Sequence, residues 1–287
     1  MYVGGNSVSY QPPFTVSAEA ISMIAEISAR IERYAMRMEQ ADALRLRRVN
    51  KIKSIHSSLA IEGNSLTENQ VTAILDGKQI VASLREVQEV KNAIATYDLF
   101  PQLNPFSVSD LLKAHGTMMA ALMEQPGQFR TKGVGVFSQT DVVHIAPPAN
   151  RVAALIDDLF DWLKNAKDHL LVRSCVFHYE FEFIHPFADG NGRMGRLWQS
   201  LLLGKLHTVF LHLPVESMIY DRQQAYYPGY RRQHGKRRLW RFHRLYAGQD
   251  PADAQNTSGR TASNRWRSKW RSKWRSKWQY LGCAGIY

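Results

Sequence analysis

Through the N-terminal region, apolar side chains return at helical intervals. Ile21, Ile24, Ile27 and Ile31 share one face, with polar residues between them. This predicts a long amphipathic stretch from Ser17 to about Asn50. Thr67-Glu-Asn-Gln70 and Ser83-Leu-Arg-Glu86 each have the form of a capping box, which satisfies orphan N–H groups at a helix start. Gly77 closes the short helix between them. Ser107 to about Met123, Asn150 to Lys164 and roughly His169 to Ile184 read as further helices, as do the residues behind Arg193 and the segment from Pro214 to Tyr227. One region differs. Gly127 to Phe137 leads through a polar turn, Ser138 to Asp141, into Val142 to Pro148, and Val, Phe and Ile around a short turn suit two strands. Pro147-Pro148 ends the second strand. The pattern gives a mainly α protein with one β-hairpin, large enough to bury a core.

Residues 183–196 read Phe-Ile-His-Pro-Phe-Ala-Asp-Gly-Asn-Gly-Arg-Met-Gly-Arg. His185 ends an apolar run, and Pro186 biases it away from helical backbone. An imidazole, with an ordinary pKa of ~6.5, accepts a proton from a hydroxyl near neutral pH. Asp189 offers a hard oxygen of the kind Mg2+ takes. Gly190-Asn191-Gly192 lets backbone N–H groups close on an anion, and the helix behind it turns its first N–H groups the same way. Arg193 and Arg196 stand three apart near the start of that helix. Cations there oppose the helix dipole, so they are placed for an anion rather than for helix stability. Each feature alone has an ordinary structural explanation. Their combination points to phosphate chemistry beside a base.

The run matches HPFx[D/E]GNGRxxR at every fixed position, and in this the chain resembles the Fic family. The resemblance implies a Fic-fold helical bundle with a β-hairpin flap, and transfer of AMP from ATP to a Ser, Thr or Tyr hydroxyl of a target protein. It implies His185 as the base, Asp189 on Mg2+, Gly190, Asn191 and Gly192 around the phosphates, and Arg193 and Arg196 on the outer phosphates. The hairpin, residues 133–148, resembles the flap whose edge pairs with an extended target segment, which assigns Val134, Val136, His144 and Ile145 to target binding. Other Fic-type transfers (UMP, phosphate, phosphocholine) and removal of AMP with Glu62 positioning water are the rivals within the enzyme class.

Upstream, Ser58-Leu-Ala-Ile-Glu62-Gly63 fits [S/T]xxxE[G/N], which resembles the inhibitory pattern of regulated Fic proteins. Ser58 and Glu62 share a helix face just before a Gly-Asn stop. A carboxylate there could pair bidentately with an arginine. The family implies Arg196 as that partner and, from the N-terminal placement, a class II protein inhibited by its own Glu62. Class II relatives are often dimers, so a homodimer stands among the expected partners beside ATP and the target protein.

The chain divides by composition. Residues 228–287 hold 15 of the 37 Lys and Arg but 2 of the 25 Asp and Glu, which leaves 22 basic and 23 acidic residues before them. The pI near 9.8 therefore belongs to the tail. Arg-Ser-Lys-Trp repeats there over 267–278, and five of the seven tryptophans lie in it. The helix from Met218 resembles the start of a Fic helix carrying a Tyr-Tyr pair, and the pattern breaks at Pro228. The preferred account is a reading-frame shift near that codon. Nucleic-acid binding through interleaved cations and aromatics is the reading outside the enzyme class, and an amphipathic helix on an anionic membrane is a third. The expected organisation is an N-terminal helical region, 1–100, with the inhibitory helix at about 50–64, then a Fic core, 101–227, then the atypical tail. Cys175 and Cys283 give neither a disulfide framework nor zinc spacing. There is no basic-then-apolar leader and no apolar run of ~18 residues, so a cytoplasmic protein without a membrane partner is expected.

Overall fold

A computed structural model of the chain describes residues 10–12, 14, 16, 18–40, 43–138 and 141–221. Its helices are α1 (Ala18–Gln40), α2 (Ala43–Ile61), α3 (Glu68–Leu75), α4 (Leu84–Asp98), α5 (Val108–Met118), α6 (Val152–Asn165), α7 (Leu170–Ile184), α8 (Asn191–Leu206) and α9 (Val215–Asp221). Short 3-10 turns occupy Phe100–Gln102, Ala149–Arg151 and Thr208–His212. Strands β1 (Gly135–Ser138) and β2 (Asp141–Ile145) pair antiparallel between α5 and α6. Their register shifts between Val136 and Phe137, a bulge that leaves Val143 without a direct partner.

α7 is covered on most of its faces: Leu171, Val172, Cys175, Val176, Phe177, Phe181 and Ile184 are buried, and so are the polar Ser174, His178 and Glu180. A helix covered in this way belongs inside a bundle. It is packed by α6, through Phe160 edge-on to Phe177, and by α8, through Met194, Leu197, Trp198 and Leu201. Gly195 brings α8 close to α7, since a Cβ there would press on the Glu182 carboxylate and lie 3.3 Å from His178 Cε1. The indole N–H of Trp198 donates to the Pro105 carbonyl at 3.1 Å and ties α8 to the approach of α5. The central pair, α7 and α8, thus delivers the two ends of the residue 185–190 loop to one place.

The caps behave as their residues dictate. Thr67 and Gln70 form the reciprocal box at α3. At α4, Ser83 Oγ accepts from the Glu86 N–H, and the Glu86 carboxylate takes the Ser83 hydroxyl and both donors of Ser65. Three expectations need correction. The stretch predicted as one from Ser17 to Asn50 is divided between α1 and α2, with residues 41 and 42 outside the described set. α5 stops at Met118 rather than near Met123, because the Asn92 amide takes the Met118 and Ala120 carbonyls and Ala121 adopts left-handed backbone. The stretch from Gly127 to Val134 is not strand. Of the segment to Tyr227, α9 reaches Asp221; the Tyr-Tyr pair and the tail at 228–287 lie outside the described residues.

Candidate active site

His185 caps the C-terminus of α7 with φ 51° and ψ 62°, a left-handed conformation that non-glycine residues rarely hold. Its N–H still closes the last turn on the Phe181 carbonyl at 2.9 Å, and Pro186 then turns the chain out of the helix. Burial pushes the imidazole below the ordinary histidine value. The Glu182 backbone opposes this, the Arg130 guanidinium reinforces it, and the carboxylates of Glu62 and Asp189 oppose it. The Nδ1 atom is buried and falls short of a hydrogen bond of good geometry among the described residues.

The loop beyond it is closed by its own side chains. Asn191 Oδ1 accepts from the Phe187 N–H, and Asn191 Nδ2 donates to the Phe187 carbonyl, both at 2.8 Å. The amide is thereby committed to the loop, so toward an anion Asn191 offers its backbone N–H rather than its side chain. Gly190 caps α8 with φ 82°, against Met119 Sδ, where a side chain would be both strained and obstructed. The N–H groups of the first turn of α8 lack intrahelical acceptors by construction.

Asp189 sits half-exposed at the rim. Its Oδ1 accepts from the Gly190 N–H at 2.6 Å and from Arg193 Nη2 at 3.3 Å, and its Oδ2 lies 3.8 Å from Arg85 Nη2. Arg193 is buried, 4.0 Å from Glu89 by Nη1, and its Nε has no hydrogen-bond partner among the described residues. An orphan cationic donor beside free helix N–H groups is what an anion would complete.

Arg196, one turn further along α8, is turned toward α2. Its Nη2 donates to Glu62 Oε1 at 2.8 Å and to the Ser58 carbonyl at 2.9 Å, and its Nε donates to Ser58 Oγ at 3.2 Å. The expected bidentate carboxylate pair is therefore replaced by a shared one: Glu62 takes one N–H, and Ser58 takes the rest of that edge. α2 ends in a Schellman motif, with Gly63 N–H on the Ala60 carbonyl and Asn64 N–H on the Leu59 carbonyl, and Gly63 at φ 94°. This stop leaves Glu62 overhanging Gly192, where its Oε1 fills the place a Cβ would take.

Two residues were missed from sequence. His115 on α5 donates by Nε2 to the Asp189 carbonyl at 3.1 Å, accepts the Gly127 N–H on Nδ1 at 2.8 Å, and stacks flat on Phe187 at 3.7 Å. These contacts fix a neutral tautomer, and burial lowers its pKa to about 4. Arg130, in the segment before β1, reaches the backbone of the 184–186 turn. Neither stands out in a single sequence, because a helix histidine and a loop arginine are usually ordinary. Of the residues assigned to the flap, Val136, His144 and Ile145 lie on the paired strands, and Val134 precedes β1, its carbonyl accepting from the Ala146 N–H at 3.3 Å.

A family model described as Fic/DOC matches residues 105–203. The fold is similar to that of a Fic family protein from Desulfovibrio desulfuricans G20, with a TM-score of 0.74 and 44% identity over 93% of this chain and 76% of that one. In sequence the chain is 31% identical over 175 residues to protein adenylyltransferase fic-1 of Caenorhabditis briggsae, covering 57% of this chain and 34% of that protein. It is 30% identical over 173 residues to protein adenylyltransferase Fic of Drosophila willistoni, covering 55% and 33%. The chain spans about a third of the length of these curated relatives. A helical bundle that presents this motif loop between two core helices defines the class, and the chain belongs to the Fic family.

Proposed function

We propose that the chain is a protein adenylyltransferase, moving AMP from ATP to a side-chain hydroxyl of a target protein, and that Glu62 holds it inactive. The observation that carries this reading is the meeting of His185, the α8 N-terminus and the Glu62–Arg196 pair around one loop. His185, kept neutral by burial, takes the proton of the acceptor hydroxyl. The oxygen then attacks the α-phosphorus, the bond to the bridging oxygen breaks, and pyrophosphate leaves. Backbone N–H groups of Asn191 to Arg193, in the first turn of α8, face the charge that develops on the phosphoryl oxygens. Arg193 and Arg196 are the cations for the outer phosphates.

Asp189 is the one residue assigned to Mg2+. Its Oδ2 lies 3.8 Å from Arg85 Nη2, and a single carboxylate completed by substrate phosphates fits the habits of this ion. Bound there, Mg2+ would neutralise charge on the phosphates and the leaving pyrophosphate. The domain division given above, the flap's role in holding an extended target strand, and a homodimer belong to the same proposal.

The test is label transfer by the Glu62→Gly protein from ATP labelled at the α- or the γ-phosphorus. Only the α-label is expected on protein, and His185→Ala abolishes it. Transfer of the γ-label, or preference for another nucleotide, replaces this reading with another Fic-type transfer.

A further inference from the structure

Arg130 is 5% exposed and stands outside every role assigned so far. Its guanidinium is a junction. Nε donates to the His185 carbonyl at 2.7 Å, and Nη2 to the Ile184 carbonyl at 3.2 Å, so the cation neutralises the open end of α7. On its other side, Nη1 donates to the Lys132 carbonyl at 3.0 Å and Nη2 to the Pro147 carbonyl at 2.5 Å. Lys132 precedes β1 and Pro147 follows β2, so both stems of the hairpin end on this side chain. The Arg130 N–H adds a bond to the Pro186 carbonyl at 2.9 Å. Only a planar fork meets acceptors spread over two segments in this way; an ammonium is a point donor.

We propose that Arg130 is a positioning residue for AMP transfer: it locks the His185 backbone and both stems of the β1–β2 hairpin into one frame, fixing the base relative to the strand that presents the acceptor hydroxyl. This rests on the function proposed above. The frame also explains how His185 sustains its left-handed backbone, since its carbonyl, turned out of the helix, is held by a buried cation. The charged groups that face the His185 ring are Arg130 itself, Glu62 from α2 and Asp189 from the loop. Arg130 is the cation among them. Its removal leaves two carboxylates acting on the imidazole.

The experiment compares R130K and R130Q with their Glu62→Gly parent, after thermal melts establish folding. R130K keeps the charge and loses the fork. Its transfer rate at saturating ATP is expected to fall by about 100-fold, the cost of an ångström-scale misplacement, while ATP affinity, which Arg130 does not touch, stays within about threefold. R130Q is expected to lose rate in the same way and also to shift the His185 titration, read by NMR of labelled histidine, to higher pH. R130K within about threefold of its parent's rate overturns the proposal. So does failure of R130K to fold, which makes Arg130 a stability residue. If the parent transfers no AMP, the functional reading fails and the role in AMP transfer fails with it; the His185 titration in R130Q then decides the frame by itself, an unshifted titration overturning that too.

Discussion

Glu62 Oε1 accepts a 2.8 Å hydrogen bond from Arg196 Nη2 across 134 residues of sequence. The pair joins the end of α2 to the second turn of α8, and it engages the arginine proposed above for the outer phosphates of ATP. Glu62 also stands over Gly192, with Oε1 where a Cβ would sit. On the proposed function, that one carboxylate separates a competent site from a silent one.

Ser58 shares the load. Its hydroxyl takes Arg196 Nε at 3.2 Å, while its carbonyl contact to Nη2 survives side-chain truncation. One hydrogen bond of this kind contributes about 1 kcal/mol, so Ser58→Ala should raise AMP transfer roughly fivefold. Radiolabel incorporation checks this. An effect equal to that of Glu62→Gly would mean that the restraint depends on Ser58 as much as on Glu62, and an unchanged rate that this hydrogen bond carries none of it.

The histidine on α5 carries a pH signature. His115 titrates at about 4 when folded, below its unfolded value of ~6.5. The unfolded chain binds the proton first, so its contribution is full above pH 6.5 and is lost as pH falls through about 4. The stability difference between the parent and His115→Ala should therefore shrink by about 3 kcal/mol between pH 7 and pH 4. Urea unfolding at both values measures it, and an unchanged difference contradicts the neutral tautomer assigned here.

The loop itself is sensitive at Gly190. An added methyl would sit 2.7 Å from Met119 Sδ on a backbone of φ 82°. Left-handed backbone costs an alanine about 1–2 kcal/mol, and the contact adds to it. Gly190→Ala should lower the melting temperature and weaken ATP binding, measured by calorimetry. Unchanged ATP affinity would show that the α8 N-terminus is not the phosphate cradle.

Base chemistry gives a further expectation. Burial and Arg130 keep His185 below the ordinary histidine range, so the acid limb of the pH–rate profile for the Glu62→Gly protein should lie below pH ~6.5. The rate is then flat through neutral pH. A limb above that value would assign the base to another group.

Much of this was legible in sequence, for physical reasons. Capping residues mark helix starts because they satisfy donors within four residues, as Thr67 and Ser83 do. The motif was legible because its chemistry is packed into consecutive positions. Helix stops and cross-chain contacts were not. α5 ends where Asn92 of α4 captures its carbonyls, which no local pattern announces. His115 and Arg130 act on backbone atoms of segments 74 and 55 residues away, and a carbonyl partner leaves no trace in residue type. The sharing of Arg196 between Ser58 and Glu62 was half-visible: the spacing placed both on one face, but only the packing of α2 on α8 decided how the guanidinium edge is divided.

The most direct test of Glu62 as the restraint is the rate of α-label incorporation from ATP by the parent chain, Glu62→Gly, and Glu62→Gly combined with His185→Ala. The account predicts little label on the parent, at least about tenfold more on Glu62→Gly, as the loss of a restraint of about 1.4 kcal/mol or more requires, and none on the double variant. Equal labelling of the parent and Glu62→Gly, with both folded and both dependent on His185, would contradict it.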